Sequence, residues 1–264
     1  MPVIMKRPQW YLVGALATLL SMSGTALAQF KDPAKEKPEF DVSANASLAT
    51  DYRFRGFTQT RESMALQGGL DATYRYFYLG AWATNVDFGK VTDAVGRQHQ
   101  VADFEVQFYG GVKPKWGPVE FDFGVIYYSF PGAYGNPNDL DHVELKAAVT
   151  GEVHKNLTAG LYGYWSPDYF GETGRNMVVQ GNLTRKLDRW QYVSPSLSAN
   201  LGYNFGTESK GGTDYGFWNV GASMIFADYF AVDVRYFDTF DVPNTISCDN
   251  RCDGKVVVTL TFEN

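Results

Sequence analysis

Charged side chains recur two residues apart along much of this chain: Asp51, Arg53 and Arg55; Asp103 and Glu105; Glu120 and Asp122; Glu144 and Lys146; Asp233 and Arg235. Asp71, Arg75 and Asp87 fall between the first two groups. A spacing of two puts residues on one face of a strand. If those faces turn inward in a closed sheet, the charges line a lumen. Rings of charge in a narrow pore set ion preference through local potential and the cost of dehydration. Acids predominate from Asp71 to Glu144, whereas Arg53, Arg55, Arg75 and Arg235 lie toward the chain ends. Closure makes those ends neighbours, so the expectation is a basic side facing an acidic wall, a field that would orient dipolar solutes. The competing arrangement is mutual pairing that fills the interior. Any single charge is expected to be structural, and the set as a whole to leave a water-filled path.

Other reactive residues point to little chemistry. Cys248 and Cys252 are the two cysteines, and export to an oxidising compartment favours a disulfide. So small a loop gains only about 2 kcal/mol on the chain-entropy account. His99, His142 and His154 fall in a long loop, at a strand start and in a short turn. Ser129 and His142 come near each other in the predicted topology, but no third group is evident to orient the imidazole, so no catalytic residue is assigned. Asn136, Asn138, Asp139 and Asp141 lack the glycine and terminal glutamate of a calcium loop. Neither a resident metal nor a cofactor is expected.

The elements that must position these residues are strands. Val42, Ala44, Ala46 and Leu48 alternate with Ser43, Asn45 and Ser47, and Leu197, Ala199, Leu201 and Tyr203 with Ser198, Asn200 and Gly202. Such alternation predicts strands with one apolar and one polar face. Twelve are expected, near 42–56, 64–75, 77–87, 102–112, 118–129, 142–151, 157–166, 177–185, 193–205, 215–226, 230–238 and 255–262. The joins after even-numbered strands are short, and most of those after odd-numbered strands are long and rich in Gly, Asp, Asn and Pro. Short turns at one rim and long loops at the other mark a transmembrane barrel with periplasmic turns and extracellular loops. Aromatics crowd four of the five short turns: Tyr74, Tyr76, Phe77 and Tyr78; Trp116; Trp190 and Tyr192; Phe226, Tyr229 and Phe230. Rings at one depth make an interfacial girdle. In hydrocarbon no sheet edge can stay unpaired, so the last strand, with Val256, Val258, Leu260 and Phe262 outward, is expected to pair with the first.

Composition agrees with an all-β reading. Aromatics reach 16% and glycine 27 of 264 residues, a mixture that suits sheets and their turns. The net charge of −6 excludes a nucleic-acid partner. Lys6 and Arg7, the apolar run 10–20 and Ala26-Leu27-Ala28 form a secretory signal with cleavage between Ala28 and Gln29. That run is too short to span a bilayer as a helix. Residues 1–28 are thus read as the signal, 29–39 as a polar tether and 40–264 as the barrel.

The runs 49–60 (ATDYRFRGFTQT), 65–71 (ALQGGLD), 82–88 (WATNVDF), 127–132 (YYSFPG) and 166–171 (SPDYFG), with the late cysteine pair, resemble the TorF-type porin family across nearly the whole mature chain. The resemblance implies an exported barrel of the bacterial outer membrane and a channel, without naming a substrate. The expectation is passive diffusion of small hydrophilic solutes or ions, leaning slightly to cations, and no enzyme. The alternatives are a non-conducting barrel acting through its loops and an outer-membrane hydrolase. Expected partners are outer-membrane lipid, lipopolysaccharide, small solutes and, during biogenesis, the barrel-assembly machinery.

Overall fold

A computed structural model describes residues 39–135, 140–243, 248 and 250–264. The expected signal and most of the tether lie outside the described residues. Twelve long strands make up the fold: β1 (Phe40–Ala49), β2 (Ala65–Tyr74), β3 (Phe77–Asn85), β4 (Phe104–Val112), β5 (Val119–Ser129), β6 (His142–His154), β7 (Leu157–Ser166), β8 (Asn176–Lys186), β9 (Val193–Phe205), β10 (Tyr215–Phe226), β11 (Phe230–Phe240) and β12 (Lys255–Glu263). Each pairs antiparallel with the next, and β12 returns to β1 through the register Asn45↔Glu263 to Ala49↔Thr259. Asn264 extends the seam: its side-chain oxygen accepts from Ala44 N at 2.8 Å. The sheet is a closed barrel without an edge.

Alternation sets which face each side chain meets. On β9, Ser194, Ser196, Asn200 and Asn204 are buried inside, while Leu197 and Leu201 stand outside. On β12, Val257, Thr259 and Thr261 face in and Val256, Leu260 and Phe262 face out. Leu66 and Leu79, two-thirds exposed, belong to the same outer belt. Aliphatic residues outside and hydroxyls, amides and charges within invert a water-soluble barrel and match a lipid-facing one. The strands run nine to thirteen residues, and about 9–11 tilted residues cross a bilayer. Among the described residues no helix is long and apolar enough to cross a membrane.

One rim carries the tight joins between β2 and β3, β4 and β5, β6 and β7, β8 and β9, and β10 and β11. The other carries the long ones. Trp116, Trp190, Tyr192 and Tyr229 stand exposed at the short-turn rim as the girdle requires. Tyr78 departs from that expectation. Its position in β3 points inward, it is buried, and its hydroxyl donates to Asp122 at 2.8 Å. Gly111 and Gly124 leave the space the phenol occupies: a Cβ on Gly111 would lie 2.7 Å from its oxygen.

The expected strand 42–56 is corrected. β1 stops at Ala49, and the chain then turns into the barrel as a small hairpin, Arg53–Phe54 against Phe57–Thr58. The expected turn after the sixth strand is shorter, because β6 continues to His154.

Candidate functional site in the lumen

Loop 50–64 builds the centre of the site. Arg55 (φ 50°) and Gly56 (φ 89°) are the two central residues of its hairpin turn, and positive φ at both defines a type I′ turn. A side chain at Gly56 would collide with Thr239 and meet Phe217 Cβ at 3.2 Å. The hairpin base is tied by Asp51, whose carboxylate accepts from Arg53 Nε at 2.6 Å, Thr58 Oγ1 at 2.5 Å and Thr60 Oγ1 at 2.9 Å. Arg53, wholly buried, donates through Nη1 to the carbonyls of Gly56, Arg251 and Asp253, and its Nη2 lies 3.5 Å from Glu62. Lys255 Nζ donates to Glu62 at 2.8 Å and holds that loop carboxyl below its usual range.

The turn reaches across the barrel. Arg55 grips Glu144 of β6 with two parallel bonds of 2.8 Å. This is a fork-to-fork pair, the strongest neutralising geometry available to a guanidinium. Burial opposes the Arg55 charge, but Glu144 overrides it and holds the group above the ordinary guanidinium value. Tyr169, in the loop after β7, lies 3.4 Å from Arg55 Nη1, and burial pushes its phenol up to about 12 despite the guanidinium. Two further ring contacts brace the loop: Tyr52 edge-on to Trp82 of β3 at 5.5 Å, and Phe57 to Tyr215 of β10 at 4.9 Å. β3, β6 and β10 lie well apart around the circumference, so the loop spans the lumen.

The sequence-predicted residues are distributed among several clusters. Asp51, Arg53, Arg55 and Glu144 come together in the crossing loop. Asp122 receives Lys146 Nζ at 2.6 Å as well as the Tyr78 hydroxyl, and Glu120 lies 3.3 Å from Lys115. Asp71, half-buried, accepts from Tyr109 at 2.7 Å. On the far side Arg235 donates to Asp233 at 3.0 Å, Asn219 at 2.7 Å and Ser198 at 2.7 Å. Glu105, 3% exposed, accepts from Gln107 at 2.6 Å. Asp87 lies beyond β3 and accepts from Gly89 N at 2.8 Å and Gln100 at 2.7 Å.

Two predicted residues fall outside the lumen. Arg75 is exposed in the short turn after β2, paired with Glu39, because the turn sits beyond the strand end. Asp103 precedes β4 and is exposed at the rim. The expected basic side facing an acidic wall is absent for the same reasons: Arg53, Arg55 and Arg235 are neutralised where they stand, and Arg75 is elsewhere. The wall from β8 to β10 is instead neutral, built from Gln180, Thr184, Ser196, Asn200 and Asn219, and the charges beside it on β11 are the mutually paired Asp233 and Arg235.

Ser129 and His142 do not form a pair. Ser129 donates to Asp141 at 3.0 Å from the outer face, whereas His142 faces inward, stacked on Tyr128 at 4.4 Å, with Nδ1 3.0 Å from the Leu140 carbonyl. Asp141 accepts from Tyr127 at 2.7 Å and from Phe130 N at 2.8 Å. Asn136, Asn138 and Asp139 lie outside the described residues. Among the described residues no group of three metal-ligating side chains gathers. Cys248 and Cys252 are joined as a disulfide with 5.4 Å between Cα atoms.

Sequence reasoning missed the aromatic shell of the long-loop rim, namely Phe54, Phe88, Phe130, Tyr169, Phe170 and Tyr215. For Phe88, Phe130, Tyr169 and Phe170 the signal was the density of rings in long loops, where a solvated loop needs none, whereas Phe54 and Tyr215 fell within expected strands.

Three solved structures are similar in architecture. CdiB from Escherichia coli aligns with a TM-score of 0.51 at 10% identity over 87% of this chain, which spans 64% of CdiB. The COG4313 outer membrane channel from Pseudomonas putida F1 gives 0.49 at 12% identity, over 89% of this chain and 99% of that one. The NanC porin gives 0.43 at 8% identity, over 84% and 98%. At such identities the likeness is one of fold alone. No curated protein sequence matches the chain. A family profile described as a bacterial protein of unknown function, Gcw_chp, matches residues 33–263, and the chain belongs to that family.

Proposed function

We propose that the chain is an outer-membrane channel through which small hydrophilic solutes and ions diffuse passively, with a slight preference for cations. The observation that carries this reading is the closed barrel with an aliphatic exterior and a hydrophilic interior, the pattern of a barrel that separates lipid outside from polar groups within. The cation preference follows from the lumen's charges. Asp51, Glu120, Asp122, Glu144 and Asp233 each have a cation in ion-pair range, whereas Asp71 has only the more distant Lys113 and Glu105 has no cationic neighbour among the described residues. The TorF-type resemblance supports the channel. In this reading the signal is cleaved between Ala28 and Gln29, the assembly machinery inserts the barrel, the short turns face the periplasm, and lipid and lipopolysaccharide surround the belt.

A second reading, a non-conducting barrel acting at the surface, draws on loop 50–64, which crosses the lumen and narrows it. Single-channel recording of the refolded protein in planar bilayers separates the two. The channel gives discrete steps, a reversal potential favouring cations under a salt gradient, and a smaller preference in Asp71→Asn. A silent bilayer overturns it in favour of the second reading.

A further inference from the structure

A cavity of about 520 Å³ opens among the long loops, bounded below by the crossing hairpin. Packed interiors hold few voids larger than a water molecule, and this volume lies in the range of small-molecule sites. Its wall is mostly aromatic. Phe88, Phe130 and Phe170 form a triad with centroids 5.3–5.5 Å apart. Tyr128 and Tyr169 continue that wall through the His142 ring, at 4.4 and 4.7 Å. Set into it is Glu105, buried, accepting hydrogen bonds from Gln107 and from Tyr52, and with no cationic neighbour among the described residues.

The adjoining cluster shows what such a setting accepts. Glu144 is equally buried, but its charge is met by Arg55, whose guanidinium carbon lies 4.6 Å from the Phe54 ring centre, 5.2 Å from Tyr164 and 6.0 Å from Tyr169. Ring faces and a carboxylate jointly hold a cation there. Glu105 has the carboxylate and the rings but lacks the cation. A buried carboxylate with no countercharge is costly, and a ligand that supplies one removes the cost. We propose that this cavity binds a small organic cation, an ammonium carrying alkyl or aryl groups, with its charge beside Glu105 and its carbon substituents against the Phe88–Phe130–Phe170 wall.

Other ligand classes fit less well. An anion would meet Glu105 and Asp87 together, and Arg251, which also borders the cavity, is exposed at the rim where water screens it. A hard metal ion asks for six or more oxygens and has no use for rings. An uncharged ring leaves Glu105 uncompensated. The site does not depend on conduction, since a silent barrel would present the same cavity.

The test is calorimetric titration of the refolded full chain in detergent with benzyltrimethylammonium, with benzyl alcohol as the uncharged ring. Saturable one-to-one binding of the cation is expected, at least tenfold tighter than the alcohol. Glu105→Gln should weaken it at least tenfold, and Phe170→Leu several-fold, with the barrel's circular dichroism unchanged. Equal affinity for cation and alcohol, undiminished binding in folded Glu105→Gln, or no saturable binding would each overturn the site. Because the ligand comparison uses the unaltered protein, it decides the matter even if the Glu105 variant fails to fold. Single-channel steps without ammonium binding would sink this site and leave the channel standing; binding without steps would do the reverse.

Discussion

Arg55 and Glu144 are 89 residues apart in sequence and both buried to within a few per cent, yet they share two hydrogen bonds of 2.8 Å. Neither charge has solvent to fall back on. Removing one partner of a buried pair strands the other, which typically costs about 3–5 kcal/mol, whereas replacing both with apolar side chains of similar size is often nearly neutral. Glu144→Ala should therefore lower the urea midpoint of the refolded barrel markedly, and Arg55→Met with Glu144→Met should recover most of it. Arg55→Lys should fall between, because an ammonium cannot reproduce the forked geometry. Equal midpoints for the Glu144 single variant and the unaltered protein would show that the pair carries no load. The sequence made both residues legible as lumen charges, since each occupies an inward phase of its alternation. Their partnership was not legible. Period two says which face a residue takes, and nothing in it says which strand stands opposite.

The crossing hairpin is where the alternation misleads, and the reason is physical. A hairpin lying inside the barrel has the same period as the strand that leads into it, so Asp51, Arg53 and Arg55 continue the phase of Ser43, Asn45 and Ser47 without a break. What does betray the change is length. The expected first strand, 42–56, is longer than the roughly 9–11 residues a tilted strand needs to cross. The Arg55-Gly56 turn was hidden as well, because Arg seldom takes the left-handed conformation that Gly accepts freely. Elsewhere the fold was readable: strand positions, the rim asymmetry and the girdle all follow from alternation and turn composition, apart from Tyr78. The hairpin offers its own test. In Gly56→Val a branched side chain meets both an unfavourable φ of 89° and the Thr239 and Phe217 side chains, so the turn should leave its seat. The expected result is a larger single-channel conductance, together with trypsin cleavage after Arg53 and Arg55, which the native burial protects. Unchanged conductance with unchanged protection would mean that the hairpin does not limit the lumen.

At the scale of the whole molecule, closure is the step that decides everything else. β1 and β12 meet across almost the full length of the chain: Ser47 and Thr261, 214 residues apart, touch through their hydroxyls at 3.0 Å on the lumen face. Every other strand pair is made between sequence neighbours, so this contact has by far the largest loop to close and should form last. It is also obligatory, because an open edge in hydrocarbon leaves a row of unpaired amides and carbonyls. Facing residues in an antiparallel pair have Cα atoms about 4.5–5.5 Å apart, within the range a disulfide accepts. Ser47→Cys with Thr261→Cys should therefore cross-link under mild oxidation once the barrel has folded in detergent, and stay unlinked in urea, where the ends are far apart. A ring of that size is worth about 5.4 kcal/mol on the chain-entropy account, so the oxidised variant should unfold at higher urea than its reduced form. The native Cys248–Cys252 pair sits at the opposite rim, in the loop before β12, and a four-residue separation makes it a local bridge that does not compete for this geometry. If the cross-link formed as readily in urea as in the folded state, or failed to form in folded protein, the seam between β1 and β12 would be wrong in register, and with it the inward phase of both strands.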